Sequence, residues 1–215
     1  MSGMPFDLGL YLVTDRPALL GRDLLDVVER AVAGGVGLVQ LREKHACGRE
    51  FVELARGLLA RLRPHGVPLV INDRVDVALA VGAHGVHVGQ GDMHPADVRA
   101  LLGPDRILGL SVTGEAEVRA ARGLPVNYLG AGPVFATTTK KDAGASQGLD
   151  GLAAMLSLAE VPVVAIGGVH ADNAGAVMAR GAAGVAVVSA VCSAPDPRAA
   201  AAHLRHIVDA AITAR

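Results

Sequence analysis

The sequence predicts a single α/β domain, residues 1–215, folded as a (β/α)8 TIM barrel. Short β-branched runs alternate with longer segments of helical period, giving eight strand–helix pairs without a break. Apolar residues make up 51% of the chain, yet its only aromatics are Phe6, Tyr11, Phe51, Tyr128 and Phe135. The core must therefore be Val, Leu, Ile and Ala, which suits parallel strands buried on both faces. No linker, low-complexity segment or shift in composition divides the chain, and eight pairs favour a closed barrel over an open sheet.

The elements follow in order. Residues 8–14 read as the first strand, and a helix over 23–33 carries Leu24, Val28 and Ala31 on one face. Strand two is 37–41, followed by Phe51, Leu54, Leu58 and Leu62 at helical spacing. Strand three is 67–71, and Val75, Ala78 and Leu79 open a short helix. Strand four is 85–88, after which Pro95 takes a first helical position ahead of Val98, Leu101 and Leu102. Strand five is 106–111, with an Ala-rich helix over 115–122; strand six is 126–130. A polar loop over 133–148 leads to a helix over 149–158. Strand seven is 161–166, the next helix 171–180, and strand eight 184–188. Asp196 and Pro197 form a cap and first position for the last helix, which buries Leu204, Val208 and Ala211.

Several function classes are excluded by composition. The net charge is −1 and no cationic run resembles a nucleic-acid arm, while stacking on bases would need more rings. The N-terminus has no basic start followed by a long apolar stretch, so no secretory signal is expected. No uninterrupted apolar run reaches membrane length, the best candidate being broken by Arg180. Cys47 and Cys192 are far apart without metal-ligand spacing, so both read as buried reduced thiols in a cytoplasmic protein. The expected partners are small molecules, with a homo-oligomer left open.

In such a barrel, chemistry gathers at the carboxyl ends of the strands. Gln40-Leu41-Arg42-Glu43-Lys44 follows strand two, Asn72-Asp73-Arg74 strand three and Gly89-Gln90-Gly91-Asp92 strand four. Ser111-Val112-Thr113 ends strand five, Thr137-Thr138-Thr139-Lys140-Lys141-Asp142 lies after strand six, Gly167-Gly168 after seven and Ser189 after eight. These types suit anions and a divalent metal. Arg42 and Lys44 alternate on an extended segment, so both can face the mouth. The Thr-rich loop with Lys140 offers hydroxyls, amides and an ammonium to a diphosphate. Gly168 admits a phosphate close to the backbone ahead of a helix, with Val188 and Ser189 at the neighbouring turn. Asp73 and Asp92, after adjacent strands, form a reasonable Mg2+ pair whose shell water and phosphate oxygens would complete.

Plainer readings stand beside these. Asp73 would serve as a helix cap with Asp76 behind it, and Asp92 as a turn residue before Pro95. Arg42 and Lys44 would form a solvated strand end paired with Glu43. The Thr-rich run would be a surface loop, Gly167 and Gly168 ordinary turn residues, and Asn72 part of an Asx-turn. His84 and His87 read as packing or hydrogen-bonding residues near strand four. Ser111 lacks His and Asp partners in a familiar order, which speaks against a nucleophilic serine.

Taken together, "YLVTD" (11–15), "QLREK" (40–44), "INDR" (71–74), "GVHVGQGD" (85–92), "LGLSVT" (108–113), "GAGPVFATTTKKD" (130–142), "AIGGV" (165–169) and "VVSAV" (187–191) resemble the thiamine-phosphate synthase family in order and spacing across essentially the whole chain. The piece at 132–142 is the most specific; "LREK" and "NDR" are shared with a sister family of thiazole tautomerases. The resemblance implies that Gln40, Arg42, Lys44, Asn72, Ser111 and Lys140 hold an aminopyrimidine diphosphate, with Arg42, Lys44, Ser111 and Lys140 serving the chemical step. It implies Mg2+ on Asp73 and Asp92, and a thiazole phosphate on Thr137, Thr138, Thr139, Gly168, Val188 and Ser189. The implied reaction joins 4-amino-2-methyl-5-(diphosphooxymethyl)pyrimidine to 4-methyl-5-(2-phosphooxyethyl)thiazole, giving thiamine phosphate and diphosphate. Three departures stand out: Arg74 replaces an alternative acidic residue, Ala136 a frequent proline, and Val112-Thr113 a frequent His-containing run. The rival readings are the tautomerase, which uses a histidine near strand five, and a barrel that binds the phosphorylated rings without catalysis.

Overall fold

A computed structural model describes residues 6–137, 139 and 144–214. Its strands are β1 Leu10–Val13, β2 Leu38–Leu41, β3 Leu69–Asn72, β4 Gly85–Val88, β5 Ile107–Val112, β6 Tyr128–Ala131, β7 Val163–Ile166 and β8 Gly184–Val187. All pair in parallel with their sequence neighbours, and β8 returns to β1 to close the expected barrel. The helices are α1 Leu24–Ala33, α2 Gly48–Leu62, α3 Val75–Val81, α4 Pro95–Leu102, α5 Glu115–Ala120, α6 Gly148–Leu158, α7 Ala171–Ala179, α8 Ser189–Cys192 and α9 Pro197–Thr213.

Most strands are shorter than their apolar runs. Strand one, expected over 8–14, pairs as Leu10–Val13, because Phe6 and Leu8 turn inward instead and pack at the amino end of the barrel with Leu38, Ile107 and Tyr128. Val188, expected in strand eight, opens α8; four residues are too few to show a helical period in the sequence. Two helix starts follow from their caps. Asp23 accepts from the Asp26 amide at 2.9 Å, and Asp196 accepts from the amides of Arg198 and Ala199 at 3.0 and 3.2 Å.

Period-two alternation divides the strand residues between two apolar clusters. Leu10, Leu12, Val39, Leu41, Leu69, Ile71, Val86, Val88, Leu108, Leu110, Leu129, Val163, Ala165, Val185 and Val187 point outward and are covered by the helices. Tyr11, Val13, Leu38, Val70, Ile107, Tyr128, Val164 and Ala186 point inward. Burying a Leu or Val side chain contributes about 1.5–3 kcal/mol, so the outer layer supplies most of the stabilisation. The seam between β1 and β8 depends on Gly184, where a Cβ would lie 1.8 Å from the Leu8 carbonyl oxygen. Arg22 fastens the same seam from outside, donating to the carbonyls of Leu19 (3.1 Å), Ala194 (2.7 Å) and Cys192. Helix α9 packs against both α1 and α7.

The cysteines correct one expectation. Cys192 is buried, and burial pushes its thiol up to about 12. Cys47 is exposed, because it stands at the N-cap of α2 on the outer surface instead of on the buried face. Under native conditions a thiol reagent at mildly alkaline pH should therefore label Cys47 and spare Cys192, with Cys192 reacting only in denaturant; mass spectrometry of the labelled peptides checks this. Gly184→Ala should destabilise the fold by about 1–3 kcal/mol or more, because backbone rather than a pliable side chain must yield; the shift of the urea midpoint measures it.

Candidate active site

Because the strands are parallel, their carboxyl ends share one rim, and a cavity of about 950 Å³ opens there. Gln40, Arg42, Lys44, Asn72, Asp73, Asp92, Ser111, Thr137, Thr139, Gly168, Val188 and Ser189 all line it. Thr138 and Lys140 lie outside the described residues. The residues expected from the sequence thus come from seven different strand ends that the fold brings to one cavity.

The plainer reading, in which Glu43 pairs with the rim cations, is not what the fold shows. Glu43 does not pair with Arg42 or Lys44; alternation turns it outward to Arg16, at 3.2 Å. The Arg42 guanidinium instead donates to Asp15, and both are largely buried. Its backbone amide donates to Thr14 Oγ1 at 3.0 Å. Lys44 Nζ reaches Asp73 Oδ2 at 2.7 Å. Both cations are therefore oriented along the rim before any anion arrives, which lowers the cost of gathering them around one.

Asp73 is not a helix cap. Arg74 holds the N-cap position of α3, with no side-chain cap bond, and its guanidinium turns away to Asp76. Asp73 has φ 62°, in the left-handed region that Asp tolerates better than most residues, and its amide donates to the His87 carbonyl at 2.8 Å. Burial opposes its ionisation, but Lys44, with help from Asp92, holds it below the ordinary carboxylate value. Asp92 does serve its turn, accepting from the Gly89 amide at 2.7 Å, and it faces the cavity as well. Burial, with the Asp73 charge added, raises the Asp92 carboxyl despite that amide. The two carboxyl groups act on each other, Asp92 lowering the value of Asp73 and Asp73 raising that of Asp92. Two carboxylates that crowd each other in a half-buried mouth suit a divalent cation better than a monovalent one, and the donor set is all oxygen, as Mg2+ prefers.

On the opposite rim, residues 133–135 are laced to the end of β7. The amides of Val134 and Phe135 donate to the carbonyls of Ile166 and Gly167, each at 2.9 Å. Gly168 has φ 64°, and a Cβ there would lie 2.6 Å from the Ala136 carbonyl oxygen. Glycine at this position therefore serves both the turn and the close approach of the 133–137 segment. Asn173 Nδ2 donates to the Gly168 carbonyl at 2.9 Å and fixes the turn to the first turn of α7.

The floor of the cavity joins two expected site residues, Gln40 and Ser111, to three that the sequence did not mark for the site, Tyr11, His87 and Tyr128. Tyr11, Gln40, His87 and Tyr128 are all buried inside the barrel. Gln40 Nε2 donates to Tyr11 Oη at 2.6 Å; Tyr11 and Tyr128 join their hydroxyls at 2.7 Å; Tyr128 Oη meets His87 Nδ1 and His87 Nε2 meets Ser111 Oγ, both at 2.8 Å. His87 does hydrogen-bond near strand four, as expected, and it does so into the site. His84 bonds elsewhere, accepting from the Leu69 amide at 3.0 Å. A usable signal was present: Tyr11, Gln40, His87 and Ser111 occupy inward positions of their strands, so alternation alone puts them on one surface.

This chain matches the protein family described as thiamine monophosphate synthase over residues 10–191. It is 74% identical to the thiamine-phosphate synthase of Solidesulfovibrio magneticus over 204 residues, covering 95% of this chain and 97% of that one. The chain belongs to the thiamine-phosphate synthase family. A second member of this family, from Azorhizobium caulinodans, is 57% identical over 205 residues, with 95% and 97% covered. Among solved structures, a thiamine phosphate pyrophosphorylase from Pyrococcus furiosus superposes with a TM-score of 0.87 at 38% identity, covering 95% of this chain and 97% of its own. A 3-hexulose-6-phosphate synthase shares the barrel with a TM-score of 0.67 at 20% identity, a likeness of fold alone.

The Asp15–Arg42 pair yields a prediction. Asp15→Ala leaves a largely buried guanidinium without its partner, and the fold should lose about 3 kcal/mol, read from urea unfolding. Arg119→Ala removes only an exposed i,i+4 contact with Glu115 and should cost well under about 1 kcal/mol by the same measurement.

Proposed function

We propose that this protein is a thiamine-phosphate synthase that displaces diphosphate from an aminopyrimidine methylene with the nitrogen of a thiazole phosphate, using Mg2+. The observation that carries this reading is the meeting of two kinds of anion site in one cavity. Arg42, Lys44, Asp73 and Asp92 form one wall, and the turns at Gly168 and at Val188–Ser189 form another. A bisubstrate reaction between two phosphorylated rings needs such a pair.

The steps follow from these groups. Asp73 and Asp92 would hold Mg2+, which stabilises negative charge on a departing diphosphate when bound. Arg42 and Lys44, with Lys140 from the Thr-rich loop, neutralise charge as it grows on the leaving group. Gln40, Asn72 and Ser111 hold the pyrimidine ring, whose amino group feeds electron density to the methylene as the bond to oxygen breaks. Thr137, Thr139, Gly168, Val188 and Ser189 anchor the thiazole phosphate, and this tether brings the ring nitrogen against the methylene. The carbon–nitrogen bond then forms with electrons from that nitrogen, and diphosphate leaves with the electrons of the broken carbon–oxygen bond. The reaction asks for no protein nucleophile. Val112 and Thr113 stand where the tautomerase family places its histidine, so that second reading draws no support here.

Mixing both phosphorylated rings with Mg2+ should release diphosphate and form thiamine phosphate, and a chelator should stop it. A tautomerase would need neither metal nor diphosphate, and a binder would release nothing. Lys140→Ala and Asp92→Ala should each lower kcat/KM by about 10²–10³-fold with the far-UV circular dichroism unchanged. Near-normal steady-state rates in both variants would overturn the assignment.

A further inference from the structure

The hydrogen-bonded chain at the floor of the cavity has a property that none of its members has alone. It begins at Gln40, passes through the hydroxyls of Tyr11 and Tyr128 and both ring nitrogens of His87, and ends at Ser111. A neutral imidazole has one donor and one acceptor nitrogen, and each phenol has a single proton to give. With His87 neutral, the protons along this chain therefore all point the same way. With Gln40 donating its amide proton to Tyr11, the sense runs from Tyr11 to Tyr128 to His87 Nδ1, and from His87 Nε2–H to Ser111 Oγ. Gln40 then has its carbonyl oxygen left as an acceptor, and Ser111 has its hydroxyl proton left to donate. Reversing the sense requires Gln40 to turn its amide over and Ser111 to become an acceptor, so the two ends change together or not at all.

The setting makes this coupling strong. Tyr11 and Tyr128 are 2% and 0% exposed, so neither hydroxyl can substitute a solvent molecule for its neighbour at little cost. The two rings meet edge to face with centroids 5.8 Å apart, which fixes the hydroxyls toward one another. Gly109 leaves the room for this arrangement, since a Cβ there would lie 2.2 Å from the Tyr128 ring and 2.4 Å from His87 Nδ1.

We propose that Tyr11 and Tyr128 are positioning residues that tie Gln40 to Ser111 through His87 and so select a pyrimidine whose edge carries an amino donor beside a ring-nitrogen acceptor over one that carries an oxo acceptor beside a ring N–H. The proposal rests on the functional reading above, since it takes the pyrimidine diphosphate as the ligand. An oxo-pyrimidine presents the reverse pattern, and both ends of the chain would have to reverse to receive it. Neither tyrosine is assigned contact with the reacting atoms; each acts through Gln40 or through His87 and Ser111.

The test uses the full chain with Mg2+ and compares dissociation constants, by calorimetry, for 4-amino- and 4-oxo-2-methyl-5-(diphosphooxymethyl)pyrimidine. The unaltered protein should prefer the amino form. Tyr128→Phe keeps the ring and removes the link between Tyr11 and His87, and it should cut that preference about tenfold. Tyr11→Phe, which keeps the Tyr128–His87 contact but frees Gln40, should also reduce it and carries the test should the first variant fail to fold. KM for the thiazole phosphate should stay within about twofold in both, because its anchors lie on the opposite rim. A preference ratio unchanged in folded variants, or equal weakening toward both pyrimidines and the thiazole phosphate, would overturn the proposal and leave the tyrosines as packing residues. Failure of the unaltered protein to join the amino-pyrimidine to the thiazole phosphate would overturn the functional reading and this proposal together, and that outcome is distinct from an active protein with an unmoved ratio.

Discussion

The barrel of this protein tolerates polar side chains at its centre because each satisfies the next. Gln40, Tyr11, Tyr128, His87 and Ser111 would each carry a penalty of about 1–3 kcal/mol if buried without a partner. Joined end to end, they form a floor on which the cavity rests. Below them the interior is apolar, with Phe6, Leu8, Leu38, Val70 and Ile107 filling it. Above them the strand ends diverge and the cavity begins. The boundary between a packed core and a reactive mouth is thus one layer of hydrogen bonds thick.

The rim follows a similar logic in charge. Arg42 leans on Asp15 and Lys44 on Asp73, so neither cation is loose, while Asp92 adds negative charge beside Asp73. Any anion that enters would meet cations already placed, and the crowding of the two carboxylates is of the kind a divalent ion would relieve. The Lys44–Asp73 pair is partly exposed and adds little to stability, the Arg42–Asp15 pair is largely buried and costly to break, and the value of both lies in geometry.

Much of this was legible in the residues. Alternating strand and helix periods gave the architecture, and parallel topology then required that the residues after each strand converge, which is why Arg42, Asp73, Asp92 and Ser189 could be named together. What escaped was contact between residues distant in sequence. Tyr11 and Tyr128 are 117 positions apart, and nothing local in either segment announces a shared hydrogen bond. The plainer alternative, Arg42 paired with Glu43, fails because adjacency in sequence is a poor guide on a strand, where neighbours face opposite ways; alternation puts Arg42 and Lys44 at the mouth, as expected. Cys47 was expected to be buried because free cysteines usually are; its place at the mouth of α2 follows from the loop before it, whose path has no periodic signal.

The closing seam has a consequence for how the molecule comes into being. The first strand finds its second neighbour only in the last one, and α1, flanked by α2 on one side, meets α9 on the other. During synthesis the ribosome therefore extrudes most of the polypeptide before the sheet can become a ring. Until then β1 and the newest strand both present bare amides and carbonyls to the surroundings, the kind of edge on which other chains nucleate. The carbonyls grasped by Arg22 belong in part to residues 192 and 194, so this guanidinium waits for groups that emerge 170 and 172 positions later.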